Sequence, residues 1–291
     1  MKSYLRFLSR NKLYTAIEVV GLSVALAFVL IIGSYVWQEY SISRENPDYE
    51  RIYIPTQSMP YGIFEPMKEQ IPEIEKITLV NSFDDVVMEC DDERLVTRGL
   101  AVRGDFFDIF DYEFLIGDAG CLESYTDIVI SESYAAKLAG KPELAVGMKI
   151  VPVDYPSQAY TVTGIIKDFD QNYWKYMDFI CKGESPLNDS AQKNPIFTLS
   201  ATAFIKVAES ADVDSLEGKI QAIFKQLWGE KMKAAMIDQF TVNLGIERFD
   251  KLYFSGEMID SYLNMGDRSQ IIILLIVSLL LLVSAVINYI N

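Results

Sequence analysis

The residues of this chain that could do chemistry are three cysteines and 41 acidic side chains, and the sequence contains no histidine. Without histidine it cannot form a Ser-His-Asp triad, a Cys-His dyad or a histidine metal site. Cys90, Cys121 and Cys181 are too far apart in sequence for a CxxC redox pair or a zinc knuckle. Three is an odd number for an oxidising compartment, so they are either buried thiols or include one disulfide. The sequence predicts no catalytic residue and no metal site.

Two glycine-containing segments invite comparison with phosphate-binding loops, but neither has the required pattern. Gly140-Lys141 lacks the upstream glycine and the following Ser or Thr. The stretch from Gly99 to Gly104 is followed by Asp105, where a phosphate loop has lysine. We therefore predict that this chain does not hydrolyse ATP, is not an enzyme and needs no cofactor.

Two uncharged apolar runs bracket the chain. The first is Val19 to Gln38, and the second begins after Arg268 and carries no charge through Asn291. A helix rises about 1.5 Å per residue, so about 20 residues cross the hydrocarbon layer of about 30 Å. We predict transmembrane helices over residues 15–38 and 270–291. A cleaved signal peptide is the alternative for the first run, but this run exceeds a typical signal core and lacks a small-residue cleavage site.

Charge sets the expected orientation of these helices. The basic residues ahead of the first run are Lys2, Arg6, Arg10 and Lys12, and no acid stands among them. Residues 1–14 are expected to stay in the cytoplasm as a membrane-surface anchor. They would form an amphipathic helix on the membrane surface or a plain charged flank. The second span would then return the C-terminus to the cytoplasm, so the protein would be a two-pass protein of the inner membrane.

The segment between the spans is strongly acidic. Residues 39–269 hold 40 of the 41 acidic residues and 22 of the 26 basic ones, which leaves a net charge of −18. Nucleic acid needs basic side chains that displace its counterions, so we expect no nucleic-acid partner. The segment is long enough to bury one or two cores. It is predicted to be a domain exported to the periplasm.

This exported segment opens in the order β-α-β-β and continues with further strands and a few helices, which predicts an α+β fold. Ser131 is a candidate N-cap after a short apolar strand, and Gly140 should end the helix that follows. Acidic pairs at Asp84-Asp85 and Asp91-Asp92 indicate turns. The other predicted elements are strands over 74–82, 86–90, 148–153, 160–167, 197–207, 240–246 and 251–254, and helices over 62–70 and 212–228, the latter capped by Gly229.

Two sets of residues are candidates for contacts. Small residues at helical spacing in the first span would let another helix approach closely, and they are Gly21, Ala25, Gly33 and Ser34. Residues 168–193 have the composition of a polar loop. Its aromatic residues are candidates for contact with a partner or a hydrophobic substrate, and they are Tyr173, Trp174 and Tyr176. Packing of these rings onto their own domain is the alternative.

Taken together, the segments of this chain resemble the N-terminal half of the MacB/FtsX-type permeases of ABC transporters. The order and spacing of the matching segments run through the entire chain. The segments are residues 10–27 leading into the first span, Val102-Arg-Gly-Asp-Phe-Phe-Asp-Ile-Phe, Ile128-Val-Ile-Ser-Glu-Ser-Tyr-Ala-Ala-Lys-Leu, Tyr160-Thr-Val-Thr-Gly-Ile-Ile-Lys-Asp-Phe and Lys251-Leu-Tyr-Phe-Ser.

The resemblance implies a MacB-like periplasmic core domain over residues 39–269, mounted between the first two transmembrane helices. This would be a porter-like mixed α/β domain with an inserted smaller, β-rich subdomain over roughly 100–195. The resemblance also implies mechanotransmission, in which a separate cytoplasmic ABC ATPase drives movement of the periplasmic domain. Implied partners are that ATPase, a second permease chain in a homodimer or heterodimer, and a periplasmic adaptor or lipoprotein.

One departure from the family pattern bears on function. A full permease would continue past Asn291 with a basic cytoplasmic segment and further spans, so we expect a truncated chain, an incomplete gene product or half of a split system. The alternative function is a membrane-anchored sensor whose exported domain binds a small ligand. Such a receptor would need a cytoplasmic output module after the second span.

Overall fold

The computed structural model describes residues 12–91, 93–168, 173–183, 200–234, 245–255 and 262–290. It divides into two units. One holds the described residues of 1–42 and 266–291, and the other those of 43–265. We call the second the exported unit, after the location that the sequence predicts for it.

Helices and strands are interspersed along the described chain. The helices are α1 (Lys12–Ser41), α2 (Phe64–Gln70), α3 (Phe106–Ile109), α4 (Glu132–Ala139), α5 (Val213–Ala234), α6 (Phe249–Leu252) and α7 (Arg268–Ile290). The strands are β1 (Ile52–Pro55), β2 (Met59–Pro60), β3 (Ile74–Cys90), β4 (Glu93–Gly104), β5 (Phe114–Ile116), β6 (Asp127–Ser131), β7 (Lys149–Pro152), β8 (Tyr160–Ile166), β9 (Phe179–Lys182), β10 (Ser200–Val207) and β11 (Ile246–Arg248).

Helices α1 and α7 form the first unit and lie against each other. Each contains a stretch long and apolar enough to cross a membrane, Val19–Ser41 in α1 and Arg268–Ile287 in α7. Most side chains of both stretches are exposed in the structure, as expected of helices whose surroundings are lipid.

The exported unit contains one large mixed sheet, with helices packed on part of it. Its strand order is β11-β1-β10-β3-β4-β9-β6-β8-β5, and parallel pairs join β4 to β9 and β6 to β8. Helices α2 and α5 cover the part built from β10 and the first half of β3, where Met67, Ile77 and Ile220 are buried in one core cluster. The fold is mixed α/β with an apolar helix at each end, which confirms the predicted fold class.

A closed ring of six strands forms the other part of the sheet. Strand β7 pairs with both β3 and β8, so the hydrogen-bonded ladder runs β3-β4-β9-β6-β8-β7 and returns to β3. A second core cluster belongs to this ring and includes Met88, Ile130, Ile150 and Cys181. The ring draws on β3 and the start of β4, ahead of the lower limit of roughly 100 predicted for the inserted part. Closure removes most free strand edges in this region.

Strand β3 is continuous through both parts, which corrects the prediction of two strands separated by a turn at Asp84-Asp85. Its pairing with β4 shifts register between Phe83 and Val86, and Asp85 takes a left-handed φ of 54°. The acidic pair therefore forms a bulge that leaves the ladder intact on both sides. Asp91, with φ 44°, turns the chain from β3 into β4 as predicted.

Two other predictions were wrong at the level of single elements. Helix α5 continues past Gly229 to Ala234, so this glycine is not its cap. Residues 251–254, predicted as a strand, belong largely to helix α6 and the turn after it. Phe249 and Leu252 are both buried, and their spacing of three places both side chains on one face of a helical turn. Of the strand predicted over 240–246, residues 240–244 lie outside the described residues.

Local signals around α4 behave as predicted. The Ser131 hydroxyl accepts the Tyr134 N–H at 3.2 Å and caps the helix. Gly140 follows the helix with φ 73°, a conformation that a residue with a side chain would adopt only with strain. Strands β7 and β8 pair in an antiparallel manner, which confirms the pair predicted over 148–153 and 160–167.

Candidate functional site

The chain enters the exported unit through residues 43–51, which we call the incoming segment. Asn46 in this segment is only 3% exposed. Its Nδ2 donates to the Ile109 carbonyl at 2.8 Å, and its Oδ1 accepts the Asp48 N–H at 2.9 Å. One side chain thus shapes the local turn and fixes the incoming segment to helix α3.

Charged side chains fix the same segment to strand β10. Arg51 donates from Nε to the Val207 carbonyl at 3.0 Å and forms an ion pair with Glu75. Lys206 Nζ lies 2.6 Å from Asp48 Oδ2, and both side chains are largely shielded from solvent. Such shielded pairs are screened less by salt than fully exposed ones. The incoming segment is therefore held by three elements of the exported unit, α3, β10 and β3.

The chain leaves the exported unit through residues 262–265, the outgoing segment. Its main anchor is Asn264, whose N–H donates to the Tyr173 carbonyl at 2.9 Å and whose Nδ2 donates to the Trp174 carbonyl at 2.8 Å. The Lys175 N–H donates to the Tyr262 carbonyl at 2.8 Å, which completes a short antiparallel bridge. The outgoing segment is thus bonded along residues 173–175.

A cluster of aromatic rings lies between these two anchors. We call it the aromatic junction, and its members are Phe106, Phe110, Tyr173, Trp174, Phe204, Phe249 and Tyr262. The centre of the Phe110 ring lies 4.9 Å from that of Trp174 and 5.1 Å from that of Phe204. Trp174 stacks on Tyr262 at 5.6 Å. These separations are typical of favourable ring contacts.

The aromatic junction connects the two anchors of the exported unit. The incoming segment is bonded to Ile109, the residue before Phe110, and the outgoing segment to the Trp174 backbone. Phe110 and Trp174 are in contact, so packed side chains join the two anchors without a gap. A small apolar depression lies beside the junction, and Phe249 and Leu263 are among its lining residues.

The three aromatic residues predicted for partner contact fall in two different environments. Tyr173 and Trp174 are each 3% exposed and belong to the aromatic junction, so almost none of either side chain lies on the surface. Tyr176 is 42% exposed, and its hydroxyl lies 3.4 Å from the Ser131 hydroxyl. Partial burial raises the Tyr176 pKa, and the nearby Asp178 and Asp168 carboxylates add to the rise. A contact role stays a prediction for Tyr176.

Of the four small residues predicted for helix packing, only Ala25 is buried in the structure. It is 8% exposed, whereas Gly21, Gly33 and Ser34 are exposed. The more buried side chains of α1 recur at alternate spacings of three and four and are Leu22, Ala25, Val29, Ile32 and Val36. On α7 the most buried are Ile271 and Ser278. That alternating spacing is typical of one face of a helix that packs against another helix. A packing role for Gly21, Gly33 and Ser34 stays a prediction.

Most of the basic residues predicted to anchor the N-terminus lie outside the residues that the structure describes. Lys2, Arg6 and Arg10 lie outside the described residues, and Lys12 is described only as the first backbone position of α1. Their role stays a prediction.

Two of the three cysteine side chains pack in the core of the strand ring. All three cysteines are free, and Cys90 and Cys181 are buried in the ring of strands. Burial raises the pKa of Cys181 to about 12 and also raises that of Cys90, which keeps both thiols protonated. Cys121 is partly exposed, and its Sγ accepts the Asp118 N–H at 3.3 Å. Within the described part of the chain, no three acidic or cysteine side chains converge as a metal ion would require.

Several residues of this site had no usable signal in the sequence. Asn46 stands before Pro47, which indicates a turn but not a buried hydrogen bond to a residue 63 positions away. Asn264 has no distinguishing neighbour. Phe204 and Phe249 are ordinary core residues by type, and only their position makes them part of the aromatic junction.

Comparison with known proteins identifies the family of this chain. Residues 15–223 match the family described as the MacB-like periplasmic core domain. No curated protein sequence matches the chain. Among solved structures, a domain of a putative permease protein from Porphyromonas gingivalis has a similar fold, at 22% identity and a TM-score of 0.53, over 69% of this chain and 90% of that one.

Two further solved structures are more distant. The periplasmic region of MacB from Actinobacillus actinomycetemcomitans is 12% identical with a TM-score of 0.43, over 65% of this chain and 94% of that one. The extracellular domain of the noncanonic ABC-type transporter YknZ from Gram-positive bacteria is 13% identical with a TM-score of 0.42, over 59% of this chain and 85% of that one.

The family match covers most of the first apolar helix and most of the exported unit. Two apolar helices that flank a domain of periplasmic type fit a two-pass protein of the inner membrane. This chain belongs to the family of the MacB-like periplasmic core domain, a component of ABC-type permeases.

Proposed function

We propose that this chain is a permease subunit of an ABC-type mechanotransmission complex that exports or extracts a substrate from the periplasm or the membrane. A separate cytoplasmic ABC ATPase supplies the energy, as is usual in this permease family. The chain itself binds its partners or its substrate and carries out no catalysis. In this proposal residues 39–269 are periplasmic, with the smaller part inserted over roughly 100–195, and both termini face the cytoplasm.

The aromatic junction is the observation that supports this function best. A domain that is attached at two points can report a relative shift of its attachments only if those points are mechanically connected. In the exported unit both attachments end on one packed cluster, through Asn46 on one side and Asn264 on the other. Packed cores resist gradual deformation and favour discrete arrangements.

The coupling role is tested by removing one anchor without removing its ring contacts. The full chain is purified with the ABC ATPase that associates with it, and ATP hydrolysis is measured in lipid nanodiscs. We expect Asn264→Ala to assemble normally but to lose most of the stimulation of ATP hydrolysis by the permease. Tyr155→Ala is the matched control, since Tyr155 is 69% exposed in the exported unit. Full stimulation with Asn264→Ala would contradict the coupling role.

The proposed orientation is tested by labelling. In a cysteine-free background, Tyr155→Cys should react with a membrane-impermeant maleimide in intact cells with a permeable outer membrane, because the side chain at this position is well exposed. A cysteine placed at Ser3 should react only after the inner membrane is opened. The reverse pattern would place the exported unit in the cytoplasm and refute the proposal.

The partners of the complex belong to the same proposal. We expect a homodimer or heterodimer of permease chains, and a periplasmic adaptor or lipoprotein bound to the exported unit. Tyr176, the exposed member of the predicted aromatic trio, is the candidate contact for that partner or for the substrate.

A further inference from the structure

Strand β4 has one edge that is only partly covered. Two hydrogen bonds show which of its backbone groups face that edge. The Asp178 N–H donates to the Arg98 carbonyl at 2.7 Å, and the Gly183 N–H donates to the Val102 carbonyl at 2.7 Å. Backbone groups of alternate residues in a strand face the same edge. The N–H and C=O groups of Val96 and Arg94 therefore face it too, away from β3.

The neighbouring strand stops before it reaches Val96. Strand β9 begins with Phe179, which pairs with Gly99. Beyond this pair the Asp178 carboxylate accepts the Arg98 N–H at 3.0 Å and closes the ladder. No described residue bonds to the backbone of Val96 or Arg94, and the Val96 side chain is 65% exposed. Within the described part of the chain, nothing pairs with the edge from residue 94 to residue 97, which lies in line with β9. We call it the open edge.

Natural proteins usually block such edges with charge, a bulge or a covering segment. Here an exposed valine stands in the middle of the open edge, between two arginines. Val96 lies directly opposite Val87 of β3, so its side chain continues an apolar row of the sheet. An exposed aliphatic side chain on an unpaired edge is the arrangement that strand addition uses, since main-chain bonds supply affinity and alternate side chains supply selectivity.

The flanking charges select the incoming strand. Arg94 and Arg98 lie two residues on either side of Val96 and therefore point to the same face. Each already pairs with one acid of β3, Arg94 with Glu89 at 2.6 Å and Arg98 with Asp85 at 3.4 Å. Exposed pairs of this kind contribute little, so a carboxylate on a new neighbouring strand can compete for either arginine.

A second copy of this chain is a poor occupant of the same edge. If two β4 edges paired in an antiparallel manner about Val96, Arg94 of one copy would lie opposite Arg98 of the other. If they paired in a parallel manner, like residues would lie side by side. Like charges directly opposite each other destabilise a sheet.

We propose that the open edge of β4 is a strand-addition site for an extended segment of another protein. The segment places an aliphatic side chain beside Val96 and carboxylates two residues before and after it, beside the two arginines. It continues the ladder that β9 ends at Asp178. This surface stands on the geometry of the exported unit alone and does not depend on the transport role.

The first test examines the free protein. In the full chain in detergent micelles, amide hydrogen exchange at Val96 should be at least ~100-fold faster than at Leu95 and Thr97, because alternate amides face β3. Equal protection of all three amides would show that the edge is already covered and would overturn the proposal.

The second test adds a probe strand, the synthetic peptide Thr-Glu-Thr-Val-Thr-Glu-Thr. It should slow exchange at the Val96 amide at least ~10-fold at saturation. Two control peptides carry lysine at both glutamate positions or methyl groups on the backbone nitrogens of the parent peptide. Methylation blocks strand pairing without altering the protein. Binding of the lysine peptide as tightly as the parent overturns the choice of occupant. Binding of the methylated peptide, or no binding by the parent, overturns the site.

Val96→Pro is the matching change in the protein. Proline is tolerated where the N–H of an edge strand faces solvent, so the melting temperature should change little while peptide binding is lost. Val96→Ala keeps the N–H and should retain most of the binding. A Val96→Pro chain that binds the peptide like the original would overturn the proposal, and the peptide controls remain decisive if this variant does not fold.

Discussion

The Asn46 side chain and the Ile109 carbonyl are joined by a buried hydrogen bond of 2.8 Å across 63 residues of sequence. Asn46 belongs to the segment by which the chain enters the exported unit, and Ile109 ends the helical turn that carries Phe106. This bond therefore connects one attachment of the exported unit to the aromatic junction. The junction can be tested for stability separately from transport.

Replacing Asn46 should destabilise the exported unit. Asn46→Ala leaves the Ile109 carbonyl buried without this donor, and an unsatisfied buried group costs about 1–3 kcal/mol. Thermal unfolding followed by tryptophan fluorescence in micelles would measure the loss. Glu209→Ala is the control, since Glu209 is exposed, and it should change the free energy of unfolding by less than about 0.5 kcal/mol. Equal effects of the two changes would show that the Asn46 bond does not hold the segment.

Replacing Trp174 should lower the free energy of unfolding of the exported unit far more than replacing Trp37. Trp174→Ala opens a cavity in the aromatic junction and should cost about 3–5 kcal/mol. Trp174→Phe should cost less, because no described residue accepts a hydrogen bond from Trp174 Nε1. Trp37 is 77% exposed on α1, so Trp37→Ala should leave the unfolding of the exported unit almost unchanged. Chemical denaturation of the three variants would reveal a different order if the junction were loosely packed.

In the bulge of β3, a β-branched residue should destabilise the fold at Asp85 but not at the neighbouring Asp84. Asp85 has a left-handed φ of 54°, which Asp tolerates better than most residues. Asp85→Val should therefore lower the free energy of unfolding by about 1–2 kcal/mol, and Asp85→Gly should be tolerated. Asp84→Val is the control at the neighbouring position, where the backbone is not left-handed. If both valine variants unfold at the same temperature, the bulge is placed wrongly.

Alkaline pH should weaken the fold through Cys181. Its folded pKa of about 12 lies above the value of about 8.5 expected for the unfolded chain. The unfolded thiol therefore loses its proton first as pH rises. The stabilisation is intact below about pH 8.5 and is lost towards pH 12, by about 1.4 kcal/mol per pH unit.

The measurement compares slopes of stability against pH between pH 8.5 and 11. Cys181→Ala lowers the starting stability through a small cavity but should make the slope shallower by about 1.4 kcal/mol per pH unit, with the part due to buried Cys90 remaining. Cys121→Ala should leave the slope as it was. The same slope in the original chain and in Cys181→Ala would mean that the thiol is not desolvated as described.

Features governed by neighbours in sequence could be predicted from the sequence. The two apolar helices follow from about 20 uncharged residues in a row, and the capping of α4 by Ser131 follows from a bond between residues three apart. The turn at Asp91 and the pairing of β7 with β8 depend on short connections. Composition alone also establishes that the segment between the apolar runs is strongly acidic and that the chain has no histidine.

Only the tertiary structure determined which distant residues meet. The bond from Asn264 to Trp174 joins positions 90 apart, and that from the Tyr262 hydroxyl to the Val80 carbonyl joins positions 182 apart. Whether Tyr173 and Trp174 are surface or core was decided by this packing. The closure of the strand ring through β7 and the open edge at Val96 depend on where separate strands end. Such contacts depend on the path of the whole chain. A buried side chain is covered by elements distant in sequence, and its own sequence neighbours do not indicate which elements these are.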